Sequence, residues 1–291
     1  MVELMVTMTL LTLIVFALMA VFSSTQTAFR ASVTQTDVLE GSRAAVDLIT
    51  TDLRGMTPSY GHYDWTNGPV NFYTWDNSFV PTLTYQPLRQ SLPGTGAQRL
   101  NVLNYFFFIG RNNQKWTATG YAVNSASNAG TLYPLYRFYA ETNIAVSPYF
   151  LFVNFTNAIY YQQWTNLSHV LDGVVSLTVR PYDANGYWMT TNQLIISSAA
   201  APIGQTNYCD NTYFSSNSVT GEMGVYFFSN AVPAAVELQM GVLEDRTLAR
   251  AKSLPGLPSP AQSNYLSQQA GHVHLFRERV TIPNVDLSAY Q

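Results

Sequence analysis

Residues 4–22 read LMVTMTLLTLIVFALMAVF, and this stretch decides how the rest of the chain can fold. Sixteen of its 19 residues are apolar, and the other three are Thr7, Thr9 and Thr12. A helix needs about 20 apolar residues to cross the hydrocarbon core of a bilayer, and the stretch reaches that length together with Met1 and Val2. Threonine is compatible with such a helix, since its hydroxyl can bond to a carbonyl of the preceding turn. The stretch therefore predicts a membrane-associated helix.

Two other interpretations of this stretch stay open. The first is a cleavable signal peptide, which three features oppose. No basic residue precedes the apolar run, the run is longer than the usual ~7–15 residues, and no A-x-A cleavage pattern follows it. The second is a wholly buried helix of a soluble protein, although such helices rarely begin at the first residue.

Glu3 is the only charged residue before Arg30 and stands at the head of the apolar run. A charge in the middle of a membrane costs about 2.5–3.5 kcal/mol on insertion scales. In one interpretation the carboxylate lies at the membrane surface, near the positive N-terminal end of the helix, where it costs little. In the other, a positive group of another molecule meets it inside a bundle of packed helices.

The helix pattern continues beyond the apolar run. No glycine occurs before Gly41 and no proline before Pro58. Apolar residues recur at helical spacing, namely Leu39, Val46, Ile49, Leu53 and Met56. A helix continuous to Met56 would measure about 80 Å at 1.5 Å per residue. We predict a transmembrane half over residues 1–22 and an amphipathic half over residues 23–56 that packs on a soluble domain.

Residues 57–291 are predicted to form a β-rich globular domain. Pro58 and Gly61, at its start, are expected to prevent the helix from continuing. Runs rich in Tyr, Phe, Val and Ile predict strands at 70–75, 103–110, 149–155, 158–164 and 225–228. Apolar and polar residues alternate at 175–180 and 236–242, which predicts one buried and one solvent-exposed face. Residues 183–186 (Asp-Ala-Asn-Gly) predict a turn, and three polar stretches predict loops at 124–130, 197–224 and 252–271.

One helix followed by runs of strands predicts an α+β fold, in which the long N-terminal transmembrane and amphipathic helix packs on an antiparallel sheet. The composition agrees with a folded chain, because 47% of the residues are hydrophobic and only 11% are charged. A net charge of -3 argues against a nucleic-acid partner, which would require a basic face. A single cysteine, Cys209, excludes an internal disulfide framework and a cysteine-rich metal site.

The sequence shows no pattern that predicts catalysis. His272 and His274 would point to one side of a strand, but two histidines without a nearby carboxylate are a weak metal signal. Cys209 lies in a polar loop without a basic neighbour to activate it. The acidic residues that could hold calcium are scattered, namely Asp172, Asp210 and Glu222. We therefore predict no enzyme activity, no catalytic residue, no cofactor and no metal.

The aromatic residues have two interpretations. Residues 105–108 (Tyr-Phe-Phe-Phe) are consecutive, so their side chains face both sides of a strand. The first interpretation places them in the core and at contacts between subunits. The second is a stacking platform for sugars or an adhesive surface, which exposed loop aromatics would support, namely Tyr63, Trp65, Tyr213 and Phe214.

The run VELMVTMTLLTLIVFALMAVF (2–22), followed by the amphipathic AAVDLITTDLRGM (44–56), resembles the N-terminal cleavage and methylation segment of type IV pilins and pseudopilins. Glu3 matches the glutamate of that family, and Val2, Leu4 and Met5 fit its flanking apolar positions. In the family, this carboxylate is thought to neutralise the N-terminal ammonium of the neighbouring subunit during assembly, an attraction that a low dielectric strengthens. The resemblance thus implies that these four residues act in assembly.

Two features differ from the family pattern. The family's basic leader and its cleavage glycine are missing before Met1, and Glu3 lies nearer to the first residue than the family's glutamate does. We therefore expect either a start codon placed too late or a truncated chain.

The C-terminal half carries a second, looser resemblance. The segment HVLDGVVSLTVRPYDANGYW (169–188) resembles the strand and turn pattern of minor pseudopilins of the J and W types. VPAAVELQMGVLE (232–244) and HVHLFRERVTIPN (272–284) resemble the strands that follow it there.

The resemblance implies a minor pilin or pseudopilin, a structural subunit of a type II secretion pseudopilus or a type IV pilus. Before assembly it would be held in the bacterial inner membrane with its C-terminal domain in the periplasm. The implied partners are other pilin or pseudopilin subunits through their N-terminal helices, an inner-membrane assembly platform and the lipid bilayer. The alternative is a membrane-tethered periplasmic enzyme or a carbohydrate-binding or adhesive module.

Overall fold

The computed structural model describes residues 2–62, 68–76, 88–125, 132–189, 209, 211–216, 223–255 and 260–290. The chain divides into two compact units, Met1–Gly41 and Ser42–Gln291. It combines a long N-terminal helix with antiparallel β-sheets. The α+β fold class predicted from the sequence is confirmed.

Helix α1 spans Val2–Arg54, 53 residues, and is not interrupted at the change of composition near Ser23. The sequence predicts that it reaches Met56, whereas the structure ends it two residues earlier in a tight turn in which the Gly55 N–H donates to the Asp52 carbonyl (3.0 Å). The helix therefore ends before Pro58 and Gly61.

Twelve strands, three further α-helices and three short 3-10 helices follow α1 in the described part of the chain. The strands are β1 (Val70–Asp76), β2 (Arg89–Ser91), β3 (Gln98–Leu100), β4 (Asn104–Asn112), β5 (Lys115–Val123), β6 (Leu135–Asn143), β7 (Ser168–Leu171), β8 (Val174–Tyr182), β9 (Thr212–Ser216), β10 (Met223–Phe228), β11 (Ala235–Leu243) and β12 (Val273–Thr281). The α-helices are α2 (Tyr149–Tyr160), α3 (Asp245–Lys252) and α4 (Ala261–Ser267). The runs at 70–75, 103–110 and 225–228 are thereby confirmed as strands.

The strands form three sheets. A seven-stranded sheet has the order β7-β6-β5-β4-β1-β10-β9, a three-stranded sheet has the order β12-β11-β8, and β2 pairs with β3. The named strand pairs in all three sheets are antiparallel. An isolated parallel bridge between Leu103 and Leu177 connects the segment before β4 with β8. This bridge brings the two larger sheets together.

The strands predicted at 149–155 and 158–164 are wrong, because residues 149–160 form α2. Phe, Tyr and Val favour a strand locally, but the buried side chains of α2 have helical spacing, namely Leu151, Phe155, Ala158 and Ile159. These residues belong to a core cluster with one face of the seven-stranded sheet, including Phe107 and Phe138. Packing against the sheet therefore overrides the local strand preference.

Two of the predicted loops contain regular structure. Residues 252–271 include α4, and residues 197–224 include β9 and the start of β10. Residues 197–208, 210 and 217–222 of the second stretch, and residues 126–130 of the predicted loop 124–130, lie outside the described residues. Polar composition alone did not distinguish a loop from a short helix or an edge strand.

The turn predicted at residues 183–186 is confirmed. The Asp183 carboxylate accepts hydrogen bonds from the backbone N–H groups of Asn185 (3.0 Å) and Tyr187 (2.8 Å). Gly186 has a φ of 86°, a value that glycine adopts without strain. An isolated bridge between Tyr182 and Trp188 closes the turn.

The predicted solvent-exposed faces of β8 and β11 are largely buried. Ser176, Thr178 and Glu237 are 8%, 8% and 5% exposed. Glu237 accepts hydrogen bonds from the Tyr182 hydroxyl (3.2 Å) and from Arg277 (2.8 Å). Long neighbouring side chains therefore fold over this face, which a period-two pattern does not reveal.

The last turns of α1, together with Met56 just after it, pack on the domain through an apolar stripe. Val46, Ile49, Leu53 and Met56 are 0–6% exposed, which confirms that part of the predicted stripe, whereas Leu39 is only half-buried. This stripe removes one side of α1 from water.

A carboxylate fixes the position of these turns. Asp52 accepts hydrogen bonds from the Tyr121 hydroxyl (2.5 Å) and from Arg137 at both of its oxygens (2.7 and 3.1 Å). Burial, together with the bond to Asp52, raises the pKa of Tyr121, and the bond to Asp52 raises the pKa of Arg137. Both partners therefore keep their protons and remain donors to Asp52.

The end of α1 touches β4 at Gly110. Met56 forms an isolated bridge with Gly110, and the Thr57 N–H donates to the Ile109 carbonyl (3.1 Å). A Cβ atom on Gly110 would lie 2.5 Å from the backbone oxygen of Gly55. This approach therefore requires glycine at position 110.

We expect Gly110→Ala to lower the free energy of unfolding by about 1–3 kcal/mol, because the added methyl group displaces the end of α1. Denaturant unfolding of the detergent-solubilised protein measures the change. Gly271→Ala is the matched control, since nothing lies within 4 Å of its added Cβ. An equal loss in both variants would contradict close docking at Gly110.

Candidate functional site

The candidate site is the apolar segment of α1, Val2–Gln26, which has a mean hydropathy of 2.6 and is long enough to span a membrane. None of the most apolar 18-residue stretch of this segment is buried against the rest of the chain. Its large apolar side chains are 48% (Val15) to 76% (Val2) exposed. A water-soluble chain rarely exposes so large a contiguous apolar surface, and such surfaces mark membrane or protein contacts.

The threonines of this segment are satisfied within the helix. Thr7 donates to the Leu4 carbonyl (3.0 Å), Thr9 to the Val6 carbonyl (2.9 Å), and Thr12 to the carbonyls of Met8 and Thr9 (2.8 and 2.9 Å). A hydroxyl without a partner costs several kcal/mol in hydrocarbon. The expectation that threonine is tolerated here is therefore confirmed at the level of hydrogen bonding.

Glu3 lies in the first turn of α1. Its carboxylate is exposed and makes no hydrogen bond or ion pair within the part of the chain that the structure describes. The neighbouring Val2, Leu4 and Met5 are 76%, 68% and 74% exposed. The four residues assigned to assembly are thus accessible together at one end of the helix, in an environment where a negative charge is favoured.

The histidine pair has a carboxylate neighbour that the sequence analysis missed. His272 Nδ1 lies 2.9 Å from Glu244 Oε2. His274 Nε2 lies 3.4 Å from Glu244 Oε1 without a hydrogen bond. Glu244 precedes α3 and is distant in sequence, so only the pairing of β11 with β12 brings it to the histidines. The statement that no carboxylate lies nearby is therefore wrong, although the described residues contain no group of three side chains able to hold a metal.

A third histidine, His169, takes part in a separate ion cluster. The Asp172 carboxylate contacts Lys252 Nζ (2.6 Å) and His169 Nε2 (2.9 Å). Burial acts to raise the pKa of Asp172, but the hydrogen bonds from Lys252 and His169 outweigh it and hold that pKa below its usual range. Asp172 therefore joins the end of α3 to the turn before β8, while Asp210 and Glu222 lie outside the described residues.

Cys209 is 3% exposed, although its polar sequence neighbours predict a loop. It lies beside Tyr290, whose pKa is raised by burial and by the nearby thiol. The Tyr290 hydroxyl donates to the Val232 carbonyl (2.6 Å). The cysteine is therefore part of the packing at the C-terminal end of the domain.

The four consecutive aromatic residues are core residues. Tyr105, Phe106, Phe107 and Phe108 are 8%, 0%, 0% and 2% exposed, and Phe106 stacks on Tyr121 with a centroid distance of 5.2 Å. Their burial excludes them as a surface platform for sugars. Of the four loop aromatics, Tyr213 is 39% exposed and Phe214 is 8% exposed, while Tyr63 and Trp65 lie outside the described residues.

The exposed apolar helix with one acidic residue at its head is the feature that characterises this chain. Comparison with known proteins finds no matching family model, no matching characterised protein and no matching solved structure. We therefore infer the function from the chemistry of the described residues and from the resemblance of the first helix.

We expect Ile14→Asp to reduce integration into membranes, because a charge near the centre of a spanning helix costs about 2.5–3.5 kcal/mol. Sodium carbonate extraction of membranes, followed by immunoblotting, measures the integrated fraction. Leu287→Asp places the same charge on a side chain that is already 61% exposed and should leave this fraction unchanged. An unchanged fraction in the Ile14 variant would mean that the segment does not lie within the bilayer.

Proposed function

We propose that the chain is a minor pilin or pseudopilin, a non-catalytic structural subunit of a type II secretion pseudopilus or a type IV pilus. The observation that carries this proposal is the exposed apolar segment of α1, headed by Glu3 and continuous with a helical stripe that packs on a β-domain. The resemblance of residues 2–22 to the family's N-terminal segment supports the same function.

In this function α1 serves first as a membrane anchor and then as an assembly surface. The bilayer buries the apolar side chains of the inner-membrane form, and similar helices of neighbouring subunits bury them in the filament. Removing apolar surface from lipid gains little by itself, so helix association depends on packing and polar contacts. A polar group that pairs between subunits therefore gives direction to an association that the apolar side chains alone do not specify.

Glu3 supplies that polar group. We propose that the partner of this carboxylate is the N-terminal ammonium of the neighbouring subunit. Two unit charges 4 Å apart attract by about 4 kcal/mol at an effective dielectric constant of 20, against about 1 kcal/mol in water. The exposed position of Glu3 in the first turn of α1 leaves the carboxylate accessible to this partner.

The β-domain completes the proposed subunit on the periplasmic side and on the outer layer of the filament. Four of its strands, β7, β8, β11 and β12, lie in the segments 169–188, 232–244 and 272–284. These segments resemble those of J-type and W-type minor pseudopilins. An inner-membrane assembly platform and other pilin-like subunits are the partners that this function requires.

A second candidate is a membrane-tethered carbohydrate-binding or adhesive module. The observation that favours it is a group of exposed aromatic side chains on α2 and just after it, with Phe150, Tyr160 and Tyr161 at 62%, 44% and 64% exposed. Aromatic rings of this kind offer an apolar face and, in tyrosine, a polar handle. In this function α1 would act only as a tether.

The two candidates differ in what they require of Glu3. We expect Glu3→Ala to lower incorporation into sheared filaments or pseudopili at least tenfold, because the charge pair between subunits is lost, while membrane integration persists. Immunoblotting of the sheared fraction and of carbonate-washed membranes measures both quantities in the same cells.

Glu40→Ala is the control, since Glu40 is an exposed acid on the same helix and has no assigned partner. Glu3→Gln keeps the size of the side chain without its charge and should behave like Glu3→Ala. Normal incorporation of the Glu3 variants would rule out the assembly role and favour the tether.

A further inference from the structure

Strand β12 lies at the edge of the three-stranded sheet. It pairs with β11 over its whole length, from Val273 opposite Leu243 to Thr281 opposite Ala235. Within the part of the chain that the structure describes, no strand pairs with its other side. A strand of this kind presents a row of backbone donors and acceptors that another chain can use.

Two arginines stand on one face of this edge strand. The Arg277 side chain is 66% exposed and donates to Glu237 (2.8 Å). The Arg279 guanidinium lies 3.8 Å from the centre of the Tyr182 ring and donates to the Gly186 carbonyl (3.3 Å). Alternate residues on a strand are roughly 7 Å apart, so the strand holds two oriented positive groups at that spacing.

The acid on this face does not cancel the two arginines. The Glu237 side chain is only 7% exposed and is bonded to Tyr182 and Arg277. A third arginine on β8, Arg180, lies over the Trp188 ring at 4.7 Å. Arg180 is separated from β12 by β11, so the positive charge on this face of β12 comes from Arg277 and Arg279, in a chain whose net charge is -3.

The opposite side of the free edge opens into a groove. Arg43, Val46 and Asp47 of α1 and residues 275–278 of β12 line a cavity of about 270 Å³. Asp47 and Glu278 form no salt bridge within the described residues, but Arg43 lines the same cavity, so this side of the edge carries charges of both signs. The outer face of an extended segment bound here would meet the positive charges of Arg277 and Arg279. Its inner face would meet Val46 and Phe276 beside charges of both signs.

We propose that β12 binds an extended acidic segment of a different protein, which adds to the three-stranded sheet as a fourth strand. Main-chain hydrogen bonds to the free edge supply part of the affinity. Carboxylates at alternate positions of the bound segment lie opposite Arg277 and Arg279. The two arginines thereby select an acidic sequence. Small apolar side chains at the intervening positions face the groove beside Val46.

A second copy of this chain does not meet these requirements. Two β12 strands paired about a twofold axis centred on residue 277 or 278 would place arginine directly opposite arginine, which is unfavourable. No two acidic residues in the 291-residue sequence are separated by a single residue. These 291 residues, and therefore a second copy of them, do not supply such an acidic segment. The binding does not depend on the proposed filament assembly.

A dye-labelled peptide that alternates valine and glutamate tests the proposal by fluorescence anisotropy, with the full-length protein in detergent micelles. We expect saturable binding, which a lysine-for-glutamate version of the peptide does not reproduce. Arg277→Gln combined with Arg279→Gln should weaken binding about tenfold, because two cross-strand charge pairs are lost. Arg246→Gln combined with Arg250→Gln is the matched control, since both arginines are exposed on α3.

A peptide that is N-methylated at alternate amides separates strand addition from simple charge attraction. Two such peptides are compared, one methylated at the odd positions and one at the even positions. We expect one of the two to lose binding, because only one edge of the peptide pairs with β12. Equal binding of the methylated and unmethylated peptides, no binding of the parent peptide, or an equal loss in the α3 control would each overturn the proposal. Arg279→Gln alone keeps the pair of Arg277 with Glu237 and should still weaken binding, even if the double variant fails to fold.

Discussion

The apolar surface of α1 between Val2 and Gln26 is the constraint on which the rest of the molecule depends. Its side chains are about half to three-quarters exposed, and leaving such a surface in water costs about 25 cal/mol for each Å². A bilayer or a bundle of similar helices removes this cost, while the threonine hydroxyls keep their hydrogen bonds inside the helix. Glu3 is the one charged residue of this segment, and its carboxylate requires an oppositely charged partner or water.

The same helix has a different surface in its last turns. From Ser42 onward α1 belongs to the compact β-domain, where Ile49 and Leu53 are fully buried and Asp52 binds Tyr121 and Arg137. Apolar burial gives this contact its strength, and the bidentate contact with Arg137 gives it a defined geometry. Gly110 completes the contact, since any larger residue would strike the backbone at Gly55. One continuous helix thus carries an exposed apolar surface and a docked surface, the combination that an anchored filament subunit requires.

Charged groups in the β-domain gain their roles from strand pairing. Glu244 lies between His272 and His274, and Glu237 lies under Arg277, because β11 and β12 are paired along their whole length. Among the described residues, no strand pairs with the other edge of β12, on which Arg277 and Arg279 lie. The first unit thus exposes an apolar helix surface, and the second exposes a charged strand edge. These are the two surfaces to which we propose that partners bind.

The sequence by itself determined α1, its apolar half and its buried stripe, the fold class and the strands at 70–75, 103–110 and 225–228, because periodicity and hydropathy act within one element. The position of Glu3 was likewise readable, since the residue stands alone in an apolar run. Only the tertiary structure decided that residues 149–160 are a helix, that Glu237 is buried and that Glu244 meets two histidines. Phe155 prefers a strand locally but gains more from packing in a core with Phe107 and Phe138, and the contact of Glu244 with His272 joins residues far apart in sequence. Such outcomes depend on which surfaces meet, and a single sequence without homologues does not contain that information in any local pattern.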